Sequence, residues 1–121
     1  MPKRILAAAA LAASFAMPAA AHHGWSGQEE KVTELTGTVT KGVSLAGPHG
    51  EMQIKVGTVL WEVTLAPPAR TAAAGLKPDV IPVGATVTVR GNKSTEPGHR
   101  EMKTILVVHG DKRYAVYPER N

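Results

Sequence analysis

The sequence predicts a mainly β protein: a small OB-like β-barrel of five to six strands with one short helix, preceded by a cleaved signal peptide. Three observations carry this. Most of the chain after residue 31 reads as short runs in which apolar and polar residues alternate, broken by glycine and proline. The first run, Val32 to Leu45, is long, rich in β-branched residues and interrupted by Gly37 and Gly42, the pattern of a bent or bulged strand. The only alanine-rich stretch beyond the amino-terminal region, Ala69 to Ala74, falls between the third and fourth strands. Three strands, a short helix and two or three more strands is the order of an OB-type barrel whose first strand is shared by both halves of the sheet. A small open sandwich built from the same elements is the alternative.

The elements follow in order. Met1-Pro2-Lys3-Arg4 has the positive start of an export signal, Ile5 to Met17 its apolar run, and Ala19 and Ala21 the small residues before a cleavage point. That run is too short to span a bilayer, so the mature chain is expected to start at His22 with no integral membrane segment. Residues 1–21 are thus the expected signal peptide, 22–31 an extended arm and 32–118 the barrel domain. Within the barrel, Gly47-Pro48-His49-Gly50 makes the first turn. Met52 to Val56 and Trp61 to Leu65 form a hairpin around Gly57-Thr58, with Trp61, Val63 and Leu65 expected inside. Pro67-Pro68 stops the sheet, and the helix ends at Gly75 with Pro78 beyond. Thr86 to Gly91, Met102 to Val108 and Arg113 to Tyr117 are the remaining strands. Asn92 to His99 reads as a mobile polar loop, and Gly110-Asp111 as a turn.

Composition narrows the function classes. Removing residues 1–21 leaves 100 residues, enough for one domain, and lowers the formal charge from +4 to +2 because Lys3 and Arg4 leave with the signal. The remaining cations are interspersed with acids, and aromatic residues are few, so a nucleic-acid platform is not expected. With no cysteine there is neither a disulfide framework nor a thiolate metal site, nor a lipid anchor on cysteine. Ser26, Ser44 and Ser94 lack the Gly-x-Ser-x-Gly setting, Glu29-Glu30 lies in a polar stretch, and no glycine-rich phosphate loop opens a helix. The chain is therefore not expected to be an enzyme.

The processed start His22-His23, the strand Leu35-Thr36-Gly37-Thr38-Val39-Thr40, the Pro48-His49 turn, Trp61, Gly75-Leu76, Gly84-x-x-Val87-x-Val89-x-Gly91 and Gly110-Asp111 together are similar to one set of bacterial proteins. The chain resembles a family of short exported bacterial proteins, a domain of unknown function, with a mature His-His amino terminus and an Asn-Pro-His turn. The resemblance implies export and the extent of the domain, and it brings no reaction. Two departures stand out: Gly47 occupies the place of the turn's asparagine, and the aromatics that follow the histidine pair and precede the turn are reduced to Trp25.

One group of residues has a distinct chemistry. An amino-terminal histidine can chelate a metal through its α-amine and its imidazole, both of which shed protons near neutral pH. His22 and His23, with His49 as a third donor from a neighbouring loop, make a nitrogen set suited to copper(II). The plainer reading keeps the pair as a polar start to the arm and His49 as a loop histidine. Trp25 beside the pair could pack on the barrel, pin the terminus and line a ligand site. Met52 and Met102 are expected in the core.

Two functions fit these residues. One is a periplasmic copper(II)-binding module; the other is a non-catalytic envelope adaptor, or small-ligand binding module, with an envelope protein as its partner and no metal. Oligomeric state and ligand are not encoded in any motif.

Overall fold

The computed structural model describes residues 25–121. Six strands, β1 (Thr33–Ser44), β2 (Glu51–Val56), β3 (Val59–Thr64), β4 (Thr86–Lys93), β5 (Glu101–His109) and β6 (Lys112–Ala115), are joined by one helix, α1 (Pro68–Ala73), between β3 and β4. The sheet order is β3-β2-β1-β4-β5-β6, and a further pairing of β3 with β5 closes the first five strands into a barrel. All pairings are antiparallel except β3 with β5, which is parallel and joins Glu62, Val63 and Thr64 to Glu101, Met102 and Lys103. This is the OB-like barrel expected from the element order, with β6 added outside the closed ring.

β1 serves both halves because it changes partners along its length. Thr33 to Thr38 pairs with β4 and Thr38 to Ser44 with β2, with register shifts on either side of Lys41. Gly37 sits at the handover, where a Cβ would come 2.5 Å from the Lys55 carbonyl oxygen. Gly91 plays the same part on β4: any Cβ there would run into the Lys103 carbonyl of the neighbouring strand. Its position coincides with the register shift between Arg90 and Gly91 against β5. Two strands can approach this closely only where one residue has no side chain.

The core follows the alternation. Val39, Met52, Ile54, Val63, Leu65, Val87, Val89, Met102 and Val107 are all buried. Both methionines pack as expected. Burial of each of these apolar side chains contributes about 1.5–3 kcal/mol. On β5 the alternation fails, because Thr104, Ile105, Leu106 and Val107 are buried in succession. Consecutive burial needs cover on both faces. The outer cover is the carboxy-terminal segment, where Val116 and Tyr117 donate to the Ile105 carbonyl at 2.9 and 3.3 Å. α1 begins at Pro68 without a side-chain cap and is held from within by the buried Thr71, whose hydroxyl donates to the Ala66 carbonyl at 2.7 Å. It terminates at Gly75, whose φ of 98° is open to glycine.

Three expectations change. Trp61 is only half-buried on β3, while Val63 and Leu65 are fully inside. Asn92 and Lys93 belong to β4, and Asn92 is 5% exposed rather than part of a loop. Its amide nitrogen donates to the carbonyls of Glu29, Glu30 and Lys31 at 2.9, 3.3 and 3.3 Å, so one side chain ties three successive residues of the amino-terminal segment to the barrel. The last strand ends at Ala115, because the chain then turns across β5 into a 3₁₀ turn, Pro118–Arg120.

Gly91→Ala is expected to destabilise the domain by about 3 kcal/mol, since backbone rather than a flexible side chain must move to admit the methyl. Gly27→Ala, where a Cβ meets nothing within 4 Å, should leave stability unchanged. Urea denaturation midpoints of the two variants make the comparison.

Candidate functional site

A polar cleft lies where β3 meets the β4–β5 loop. It encloses about 250 Å³ between Trp61 of β3, Lys93 and Ser94 at the end of β4, the loop Thr95 to Arg100, and Glu29 of the amino-terminal segment. The loop is tied at both ends. The Arg100 carbonyl accepts from the Glu62 N–H at 2.9 Å, Ser94 N–H donates to the Glu101 carbonyl at 2.9 Å, and Thr95 N–H donates to the Gly27 carbonyl at 3.1 Å. Arg100 reaches back over Trp61, its guanidinium 6.0 Å from the ring centre. Trp61 therefore has one end in the core and one face toward the cleft.

Polar contacts run along the adjoining strands. Thr40 donates to Gln53 at 2.8 Å and Gln53 to Glu62 at 2.8 Å, across β1, β2 and β3. Thr64 donates to one oxygen of Glu101 at 2.6 Å, and His99 Nε2 lies 3.0 Å from the other. Both carboxylates are thus already engaged by hydrogen-bond donors, an arrangement that orients rather than activates them.

Trp25 docks against the carboxy-terminal segment, beside Lys103 of β5. Its ring meets that of Tyr117 edge to face at 5.1 Å. Two cations lie over it, Arg120 at 4.1 Å and Lys103 at 4.6 Å, while Arg70 of α1 lies 4.9 Å over Tyr117 and pairs with Glu119 at 2.9 Å. Burial first, and then the nearby Arg120, hold the Lys103 ammonium below the ordinary lysine value, with Glu101 pulling the other way. Tyr117 is 8% exposed, and burial raises its hydroxyl above the usual tyrosine range; Glu119 adds to this, and Arg70 and Arg120 oppose it.

Of the expected metal donors, His22 and His23 lie outside the described residues. His49 is half-buried in the β1–β2 loop, and its ring has no hydrogen-bond partner among the described residues. No group of three or more His, Cys, Asp or Glu residues that could hold a metal occurs among the described residues. Trp25 does pack on the barrel, against the Tyr117, Lys103 and Arg120 side chains.

Residues 10–102 match the profile of a family of unknown function, DUF6152. The chain belongs to that family. No curated protein matches the sequence. Among solved structures, a ZRD-deleted mutant of TiaS in complex with agmatine is similar, at 14% identity and a TM-score of 0.54, over 75% of this chain and 27% of that one. The chain therefore spans about a quarter of that protein's length, and the likeness is one of fold.

Within this DUF6152 domain, sequence reasoning missed Arg100 and the pairing of the exposed His99 with Glu101. The signal was present in the density of polar residues from Asn92 to Glu101, but only barrel closure brings them onto Trp61. No helix among the described residues is long and apolar enough to cross a membrane.

Trp25→Ala should release the amino-terminal segment, raising amide exchange at Gln28 and Glu29 about 30-fold relative to β2, as expected for losing about 2 kcal/mol of ring and cation contacts. Tyr117 gives a pH signature. Its folded-state value lies above the ordinary value of about 10, so its contribution is intact below pH ~10 and is lost as pH rises further, because the unfolded chain ionises first. Tyr117→Phe should therefore flatten the fall in thermal midpoint between about pH 9 and 11.

Proposed function

We propose that this chain is an exported, non-catalytic binding module of the periplasm whose working surface is the Trp61 cleft. The observation that carries the reading is the half-exposed Trp61 ring under Arg100, at the junction of β3 with the β4–β5 loop. Five-stranded barrels of this topology take ligands on that strand face and in that loop. The cleft lining carries both signs of charge, Lys93 and Arg100 against Glu29 and Glu96, with one flat apolar wall. Its occupant is a compact polar ligand with a planar or apolar face to lay on the indole, or a short segment of an envelope protein of that character. The absence of chemistry in the motifs and the engaged state of Glu62 and Glu101 favour binding without turnover.

Ligand-observed NMR with a panel of amino acids, short peptides and small sugars is the direct test. Compounds that bind the wild type should lose binding at least about tenfold in Trp61→Ala and Arg100→Ala. They should keep it in Arg113→Ala on β6. Ligands that bind all variants alike would place the working surface elsewhere. Export predicts that protein recovered from the periplasmic fraction begins at His22, which intact-mass measurement reads directly.

The docking of Trp25 favours a second reading, copper(II) capture by the processed terminus. His23 and His22 precede Trp25 by two and three positions, so fixing Trp25 shortens the reach of the pair and lowers the entropy cost of chelation. The cations over Trp25 oppose a divalent ion, so copper affinity should rise with non-coordinating salt. A competitive Cu(II) titration on processed protein should show tighter binding than the His22→Ala, His23→Ala double variant; equal affinities would end this reading.

A further inference from the structure

The Trp61 cleft carries four charges that the described residues leave unpaired. Lys93 and Arg100 bring two cations to its lining, and Glu29 and Glu96 two carboxylates. None of the four side chains forms an ion pair among the described residues, with one another or with a neighbour. Glu29 and Lys93 stand opposite each other on paired backbones, the Glu29 N–H donating to the Lys93 carbonyl at 2.8 Å, and both are half-buried. Opposite charges at facing positions stabilise a strand pair when they meet, yet these two do not. Arg100 rests only on the indole face of Trp61, 6.0 Å from the ring centre, at the outer limit of a cation–ring contact.

The four charges sit on a fixed frame. Thr95 donates twice to the Gly27 carbonyl, from its hydroxyl at 3.2 Å and its N–H at 3.1 Å. Glu96 N–H donates to the Ser94 hydroxyl at 3.2 Å and His99 N–H to the Glu96 carbonyl at 3.1 Å, closing a turn that Gly98 enters at a φ of 77°. Glu96 and Arg100 flank that turn, while Glu29 and Lys93 belong to the two paired segments at its base. A ligand that meets charges already in place loses little to the ordering of the protein.

Ligand classes differ in how they meet this lining. A simple anion gains Lys93 and Arg100 but is repelled by Glu29 and Glu96, and a simple cation meets the reverse. A neutral molecule covers charges without satisfying them, at a cost in desolvation. A molecule with one carboxylate and one ammonium gives each sign a partner, and a guanidinium can hold the carboxylate with paired donors. The half-exposed indole adds a flat apolar wall for a ring. The volume of about 250 Å³ lies below the roughly 300–1,000 Å³ of pockets that take drug-sized ligands, which suits a single residue.

We propose that the Trp61 cleft takes a free aromatic α-amino acid as its zwitterion, with the carboxylate toward Arg100 and Lys93, the ammonium toward Glu29 and Glu96, and the ring on the indole. This rests on the cleft being the working surface and adds the class of ligand that it recognises.

The processed protein is titrated with L-phenylalanine, with phenethylamine, which lacks the carboxylate, with 3-phenylpropionate, which lacks the ammonium, and with N-acetylphenylalanine amide, which lacks both charges. Binding is followed by NMR at the Trp61 indole N–H, assigned by its loss in Trp61→Phe. Phenylalanine should bind at least about fivefold tighter than each analogue. The Lys93→Gln, Arg100→Gln double variant should erase its advantage over phenethylamine, and the Glu29→Gln, Glu96→Gln double variant its advantage over 3-phenylpropionate. Arg113→Gln on β6 should change neither. Analogues that bind at Trp61 as tightly as phenylalanine overturn the zwitterion and leave the cleft standing as a binding surface. Absence of a shift at Trp61 with all four probes also overturns the proposal, and the sugars and short peptides then decide whether the cleft binds at all. Unfolding midpoints of the double variants separate a lost preference from a lost fold, and the wild-type series decides by itself if either variant fails to fold.

Discussion

Everything in this molecule that resembles a site depends on the short parallel pairing between β3 and β5. Three residue pairs, Glu62 to Thr64 against Glu101 to Lys103, convert a six-stranded sheet into a closed barrel. Closure covers the open edge of β3 and brings strands that are distant in sequence into register. It places the β4–β5 loop against Trp61, sets Thr64 within hydrogen-bond reach of Glu101, and stations Lys103 beside the docked Trp25. Little backbone hydrogen bonding is spent on this junction, so its security comes from what surrounds it. Val63 and Met102, paired across it, are fully buried in the common core.

The two ends of the described chain reinforce the same region from outside. Asn92 fastens Glu29, Glu30 and Lys31 to β4 through one buried amide, and Trp25 meets Tyr117 over β5. The carboxy-terminal segment supplies the second cover that lets Ile105, Leu106 and Val107 be buried in succession. The amino-terminal segment therefore lends Glu29 to the Trp61 cleft and Trp25 to the cationic cluster. Its loosening would reach both places, although the two differ in chemistry: one is lined by both signs of charge, the other collects cations on ring faces.

The balance between these features bears on the metal reading. The proposed copper(II) site rests on His22-His23, but the surroundings of Trp25 are positive, and a positive field disfavours a divalent cation. His49, the third nitrogen donor expected from the turn, belongs to no group of three or more ligating residues among the described residues. The barrel face, by contrast, needs no metal to be a binding surface.

The amino-acid sequence by itself determined the class of fold, because alternation of apolar residues, glycine breaks and one alanine-rich segment are local signals that each element carries within itself. β1 with its bends, the hairpin at Gly57-Thr58, the helix ending at Gly75 and the buried methionines were all legible in that way. Only the tertiary structure decided how far Asn92 and Lys93 extend β4, why Trp61 stops half-way into the core, and which cations meet Trp25 and Tyr117. Those outcomes turn on contacts between residues separated by tens of positions, such as Asn92 with Glu29 or Arg70 with Glu119. Such contacts exist only once the barrel has closed, and no local pattern of hydrophobicity or charge encodes them.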